Sequence, residues 1–156
     1  MGTLSEATER NKEIVRRYQD AYNSNDLDVL DEVLAPEWKT QCFPTTLMDQ
    51  TIENVKAVHR SLLEVFPDLH YVTHELIAEG DVVVQSFTVQ GTHKGEMAGL
   101  PPTGNSIAVG GVSIFEIRDG RIVRHEAFSD LVDLLVQLGF DIPADWAAFI
   151  HRPVDA

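Results

Sequence analysis

The stretch Phe115–Gly139, FEIRDGRIVRHEAFSDLVDLLVQLG, decides the reading of this chain. Phe115, Glu116 and Ile117 end a strand, and Asp119-Gly120 is a dipeptide that turns a tight hairpin. Arg121–Phe128 is the returning strand, and Asp130–Leu138 is a helix closed by Gly139. The returning strand and the helix start carry His125, Glu126 and Asp130 within six residues, three groups able to give or take a proton. Side chains alternate along a strand, so Ile122, Arg124, Glu126 and Phe128 share one face and Arg121, Val123, His125 and Ala127 the other. Both faces are mixed, and periodicity alone leaves open which of Glu126 and His125 points inward.

The rest of the chain sorts into helices first and strands second. Apolar residues at helical spacing run from Glu6 to Asn23. A second amphipathic helix holds Leu27, Leu30, Val33 and Leu34 and ends at Pro36. Trp38–Phe43 is a short strand candidate. A third helix runs from about Thr51 to Phe66 and stops at Pro67. Strands follow at His70–Ala78, Val82–Gly91 and Ile107–Ile117, the last with Gly110 and Gly111 suggesting a bulge or a strong bend. Met97–Asn105, with two prolines and two glycines, is a loop that could serve as a lid. Three helices, four or five mostly antiparallel strands and a late helix predict an α+β fold. A strongly curved sheet packed against the N-terminal helices makes a cone-shaped α+β barrel with a pocket at its wide end.

Composition sets the outer bounds. The 156 residues form a single domain, 1–156, with its core at about 10–140 and loose tails at 1–5 and 152–156. A 44% apolar fraction is enough for a hydrophobic core without disulfide staples. The net charge of −13 argues against nucleic acid and anionic membrane as partners. No apolar run reaches the ~20 residues of a membrane span, and the first residues lack the apolar stretch of a secretory leader. With the lone Cys42, these features predict a cytoplasmic protein without an internal disulfide. There is no HExxH, no paired CxxC and no EF-hand loop, so no metal site is expected.

The ordered set FPDL (Phe66–Leu69), AEGDVVV (Ala78–Val84), GTHKGEMAGLPPTG (Gly91–Gly104), FEIRDGRIV (Phe115–Val123) and Asp130 with Gln137-Leu138-Gly139 resembles the SnoaL-like polyketide cyclase family, within the nuclear-transport-factor-2-like superfold. The resemblance spans roughly residues 10–140. It implies an intramolecular aldol condensation without metal or organic cofactor, an aspartate acid/base at Asp130, and association into a homodimer, with a tetramer as the alternative. Two positions depart from the family pattern: many relatives carry Trp where Glu126 stands and His where Gln41 stands. The family's Trp points inward, which favours an inward Glu126.

Asp130, Glu126 and His93 are therefore the candidate catalytic residues. A carboxylate held in an apolar pocket loses hydration and becomes a better base near neutrality. Against this stands helix capping, for which an aspartate before Leu131 is equally suited. His93 lies in GTHKG just past a strand end, where it either meets substrate or ties the following loop to the sheet. Gln41, Trp38, Phe87, Met97, Phe115, His125 and Phe128 are candidate substrate-binding residues, each alternatively part of the core or surface. The expected activity is cofactor-independent acid/base chemistry on a hydrophobic, carbonyl-bearing small molecule. Arg124, Glu126 and Asp130 also supply the ingredients of an epoxide hydrolase, and a non-catalytic small-ligand-binding module is the third reading.

Overall fold

The computed structural model describes residues 4–42, 50–97 and 99–141. The elements run α1 (Leu4–Ser24), α2 (Val29–Val33), β1 (Leu34–Gln41), α3 (Ile52–Val65), β2 (His70–Glu79), β3 (Val82–Thr92), β4 (Ser106–Arg118), β5 (Arg121–Ser129) and α4 (Leu131–Gln137). Of the expected tails, 1–3 and 152–156 lie outside the described residues, as do Phe43 and Ala98, whereas Leu4 and Ser5, expected to be loose, already belong to α1. Five strands form one curved sheet in the order β1-β5-β4-β3-β2, antiparallel except for the β1–β5 pair. The fold is α+β as expected, and the sheet is open rather than closed into a full barrel. Among the described residues no helix is long and apolar enough to cross a membrane.

Helix α1 buries Val15, Tyr18 and Ala21 at the i, i+3 spacing of a single stripe. Asn25 leaves the helix in the left-handed region at φ 56°. The Asn23 side chain accepts from Tyr71 N at 2.8 Å and donates to Tyr71 O at 2.9 Å, tying the helix end to β2. Helix α3 is started by Thr51, whose Oγ1 accepts from Asn54 N at 3.1 Å. Asp119 and Gly120 both have positive φ (51° and 76°), which matches the twist that a two-residue hairpin needs.

Two local expectations are corrected. The second helix is one short turn, and the chain is already extended at Leu34. Pro36 disfavours helix for Ala35 before it, and it falls in the irregular stretch between Leu34 and Lys39 where the β1–β5 ladder shifts register. Gly110 and Gly111 carry no shift against β3, pairing in sequence with Thr88 and Phe87. Gly111 answers a packing need instead, since a Cβ there would stand 2.5 Å from Phe87 Cζ and 2.9 Å from Phe128 O. The bulge that matters is in β5. Ile117 pairs with Ile122 and Glu116 with Arg124, so Val123 is an extra residue in the strand. Ile122 is fully buried, yet two residues on Arg124 is exposed. Beyond the bulge His125, Ala127 and Ser129 face the concave side.

Candidate functional site

The concave face of the sheet, α1 and α3 enclose a partly open cavity of about 170 Å³. Its wall is mainly apolar and aromatic, with Tyr18, Tyr22, Trp38, Tyr71 and Phe87 among the lining side chains. Besides the tyrosines, the polar side chains of the wall among the described residues are Gln19, Thr40, Cys42, His59, Gln85, Ser113, His125 and Ser129. Among the described residues, no aspartate, glutamate, lysine or arginine lines the cavity.

His125 is the centre of the polar set. Its Nε2 lies 3.1 Å from Ser113 Oγ and its Nδ1 3.5 Å from the Tyr18 hydroxyl. The Tyr18 hydroxyl donates its one hydrogen to the Tyr22 hydroxyl at 3.2 Å, so toward His125 it is an acceptor. The imidazole stacks on Phe115 (centroids 4.5 Å, interplanar angle 6°) and meets the Tyr18 ring edge-on. These contacts fix its plane and both its nitrogens. Burial pushes the His125 pKa down to about 4, so the ring is neutral at pH 7. Burial also raises Tyr18, Tyr22 and Tyr71, the last to about 12, so all three phenols keep their protons. A separate polar link joins Gln85 Nε2 to Gln19 Oε1 (3.1 Å) and Thr73 Oγ1 (2.7 Å). The cavity thus holds neutral donors and acceptors in an apolar wall, an arrangement suited to a small, largely apolar molecule bearing a few oxygens.

The residues singled out from sequence are divided by this geometry. Trp38, Phe87 and His125 line the cavity. Phe115 sits behind it, fully buried, as the ring on which His125 stacks. Asp130 is the N-cap of α4: its Oδ1 accepts from Asp133 N at 2.9 Å, and the residue is exposed and absent from the cavity wall. Glu126 and Gln41 are register partners on the convex side, in a shallow polar hollow with Lys39, Gln50 and Arg124. There Glu126 is ion-paired to Arg124, which also reaches Glu116 at 3.2 Å. The inward Glu126 inferred from the family's Trp is therefore not what this chain shows. The extra residue Val123 sets the phase of everything after it, and a carboxylate is far less costly beside water and an arginine than in an apolar cavity. Phe128 shares that outer side and is 60% exposed.

His93 takes the tying role. Its Nδ1 accepts from Thr103 N at 3.2 Å and lies 3.0 Å from Thr103 Oγ1, holding the 97–105 loop to the sheet. It packs on Phe66 away from the cavity wall. Met97 bridges to Leu100 and covers the second apolar cluster around Phe66, Ile107 and Val109. Tyr18, Tyr22, His59 and Ser113 are cavity residues that sequence reasoning passed over. The available signal was a polar atom at an inward position: Ser113 between Val109 and Phe115 on β4, and His59 between Val55 and Leu62 on α3.

Comparison with known proteins now fits this geometry. The sequence profile of the SnoaL-like polyketide cyclases matches residues 12–138. The chain belongs to that family. Among solved structures, IdmH from Streptomyces antibioticus, a candidate polyketide cyclase, is 31% identical over 83% of this chain and 99% of its own, with a TM-score of 0.75. TsrD from Streptomyces laurentii is 31% identical over 84% and 96% of the two chains, with a TM-score of 0.74. AclR from Streptomyces galilaeus, a candidate hydroxylase, is 26% identical over 88% and 98%, with a TM-score of 0.72. No curated protein sequence matches significantly. A cyclase and a hydroxylase label on similar folds mean that family membership does not name the reaction.

Proposed function

We propose that this SnoaL-like protein binds a small, hydrophobic, carbonyl-bearing molecule and acts on it by proton transfer without a cofactor, using His125 as base and Tyr18 as acid. The observation that carries this reading is the His125–Tyr18–Ser113 set inside the cavity, with imidazole nitrogens 3.5 and 3.1 Å from the two hydroxyls. A neutral imidazole, its Nε2 freed as the Ser113 hydroxyl turns away, takes a proton from carbon; the resulting enolate carbon bonds to a second carbonyl carbon of the same molecule, the new alkoxide takes the Tyr18 proton, and the imidazolium returns its Nδ1 proton to the Tyr18 oxygen. The sum is an intramolecular aldol addition, balanced in atoms and charge.

The basicity of His125 limits the substrate. With a pKa of about 4, it is always free to accept a proton but binds it weakly. Each unit by which the carbon acid is weaker adds about 1.4 kcal/mol to the step. A weak base of this kind favours a carbon flanked by two carbonyls, a 1,3-dicarbonyl unit, over a simple ketone. Size limits it too: a cavity of about 150 Å³ holds benzene, so one of about 170 Å³ seats a single ring and not a fused polycycle.

The two-carboxylate epoxide hydrolase receives less support, because Glu126 lies on the convex side and Asp130 caps α4. Asp130 does follow directly on the cavity residue Ser129, and this favours it as the competing base that the family resemblance implies. The test is hydrogen–deuterium exchange at the central carbon of 1-phenylbutane-1,3-dione, followed by proton NMR. Saturable acceleration by the protein, lost in His125→Gln, is the expected result. Binding of the diketone with no acceleration would assign the cavity to carriage instead of catalysis.

A further inference from the structure

Tyr18, Tyr22 and Tyr71 are the three tyrosines of the chain, and all three line the cavity. Two of them carry a hydroxyl hydrogen that meets no acceptor among the described residues. The first is Tyr22. It accepts from the Tyr18 hydroxyl at 3.2 Å, a bond that favours the Tyr22 phenolate and disfavours that of Tyr18, and its own O–H is left over. The second is Tyr71, whose hydroxyl has no hydrogen-bonding partner among the described residues. It is not sealed off: the sealed, unpartnered side-chain atoms are Trp38 Nε1, both His59 nitrogens and His93 Nε2. The three hydroxyls face a common space, because charge on one is felt by the others: Tyr22 and Tyr71 both raise Tyr18, and Tyr71 raises Tyr22. The rings are held in place. Tyr22 meets Tyr18 and His59 edge-on at 4.9 and 4.8 Å, and Tyr71 leans on Tyr22 and Phe87 at 6.1 and 6.2 Å. The Asn23 side chain bonds both backbone groups of Tyr71.

We infer that the Tyr22 and Tyr71 hydroxyls are an oxyanion-binding pair, the two donors that hold the enolate oxygen of a 1,3-dicarbonyl compound in the cavity. The inference rests on the reading of the cavity as a proton-transfer site. A weak base takes a proton from carbon only when the charge left behind is well received. Among the described residues no lysine or arginine lines the cavity to receive it, so neutral donors must. Both phenols keep their protons, and each therefore donates to an oxyanion without becoming one. Tyr22 has a further advantage. His125 Nδ1 donates to Tyr18 and Tyr18 to Tyr22, so the hydrogen bonds run in one direction and each polarises the next O–H. Set in an apolar wall, two such donors act on developing charge more strongly than they would in water. The phenols then divide the oxygens of the reaction. Tyr22 and Tyr71 hold the oxygen of the carbonyl whose neighbouring carbon loses the proton. Tyr18 serves the second carbonyl, at the stage when the charge has moved there. The pair is supplied by α1 and β2, and the base by β5.

The test reads the acidity of a bound ligand rather than turnover. 1-Phenylbutane-1,3-dione absorbs differently as enol and as enolate, so a pH titration of the saturated protein gives the acidity of the bound diketone. All three tyrosines stay protonated over that range, which leaves the enolate band clear. An apolar cavity without donors would make the diketone a weaker acid than it is in water. The parent protein is expected to bind it as an acid at least as strong as in water. Tyr22→Phe and Tyr71→Phe are each expected to lower the acidity of the bound diketone about tenfold to hundredfold, the span for losing a hydrogen bond to a charged group. Butylbenzene, with the same carbon skeleton and no oxygen, is expected to bind the parent and both variants equally. A bound diketone that is a much weaker acid than in water, or whose acidity both variants leave unchanged, overturns the inference. So does a loss of butylbenzene affinity that matches the loss for the diketone. The parent titration decides even if a variant fails to fold. A parent that keeps the bound diketone acidic but does not accelerate exchange at its carbon retains the oxyanion pair and loses only the catalytic reading. Exchange with unchanged acidity in both variants does the reverse.

Discussion

The two faces of β5 are built from the same nine residues and do opposite things. On the convex face Arg124 and Glu126 are paired with each other, Arg124 exposed and Glu126 half-buried, and Phe128 is mostly exposed. On the concave face His125, Ala127 and Ser129 are uncharged and line a cavity. The division follows solvation. A carboxylate moved into an apolar wall without a partner costs several kcal/mol, while a neutral imidazole with two hydroxyl neighbours costs little. The difference teaches that in this chain the residues with the most obvious acid/base chemistry are not the ones that the fold encloses.

The largest expected effect breaks the concave face alone. His125→Gln and Tyr18→Phe are predicted to slow diketone exchange by about 10²–10⁴-fold, the usual span for losing a positioned acid or base. Glu126→Gln, at the very next residue but on the other face, is predicted to leave the rate unchanged in the same NMR assay.

The next effect is on stability against pH. The His125 pKa is about 4 in the folded chain and near 6.5 when unfolded, so the unfolded chain binds the extra proton between those values. Stability is then fully present above about pH 6.5 and is lost as pH falls toward 4, by about 3 kcal/mol from this residue. Denaturant unfolding at several pH values is expected to show the loss in the parent and a shallower loss in His125→Gln. Equal slopes in the two proteins would place the effect elsewhere.

Gly111→Ala sharpens the comparison from the sheet between the faces. The new Cβ meets Phe87 Cζ at 2.5 Å and Phe128 O at 2.9 Å, so the Phe87 ring must move within the cavity wall. A cost of about 1–3 kcal/mol in denaturant unfolding and weaker butylbenzene binding are expected. Smaller still is the cap: Asp130→Ala is predicted to cost about 1 kcal/mol in the same unfolding measurement, and Asp130→Asn close to nothing, because asparagine caps as well.

Most of the fold was legible because its signals are local. The helical spacing of α1 and α3, the Asp119-Gly120 turn and the prolines at 36 and 67 each act within a few residues. The register was not. The extra residue Val123 is visible only once β4 and β5 are paired, and it alone decides which alternate residues of β5 face inward. The same limit governed the site. Asp130, Glu126 and His93 stand out by chemistry, but the structure gives them a helix cap, a convex ion pair and a loop tie. Tyr18, Tyr22 and His59 are hidden because aromatic residues on an apolar helix face read as core until a cavity is seen beside them.

The central claim is that the concave face of β5, and not the carboxylate at its end, moves the proton. It is tested most directly by measuring diketone exchange with His125→Gln and Asp130→Asn side by side, since asparagine preserves the cap while removing the acid. The account predicts a rate within about threefold of the parent for Asp130→Asn and a loss of at least about 10²-fold for His125→Gln. The opposite pattern, with Asp130→Asn inactive and His125→Gln intact, would contradict it and assign the chemistry to Asp130.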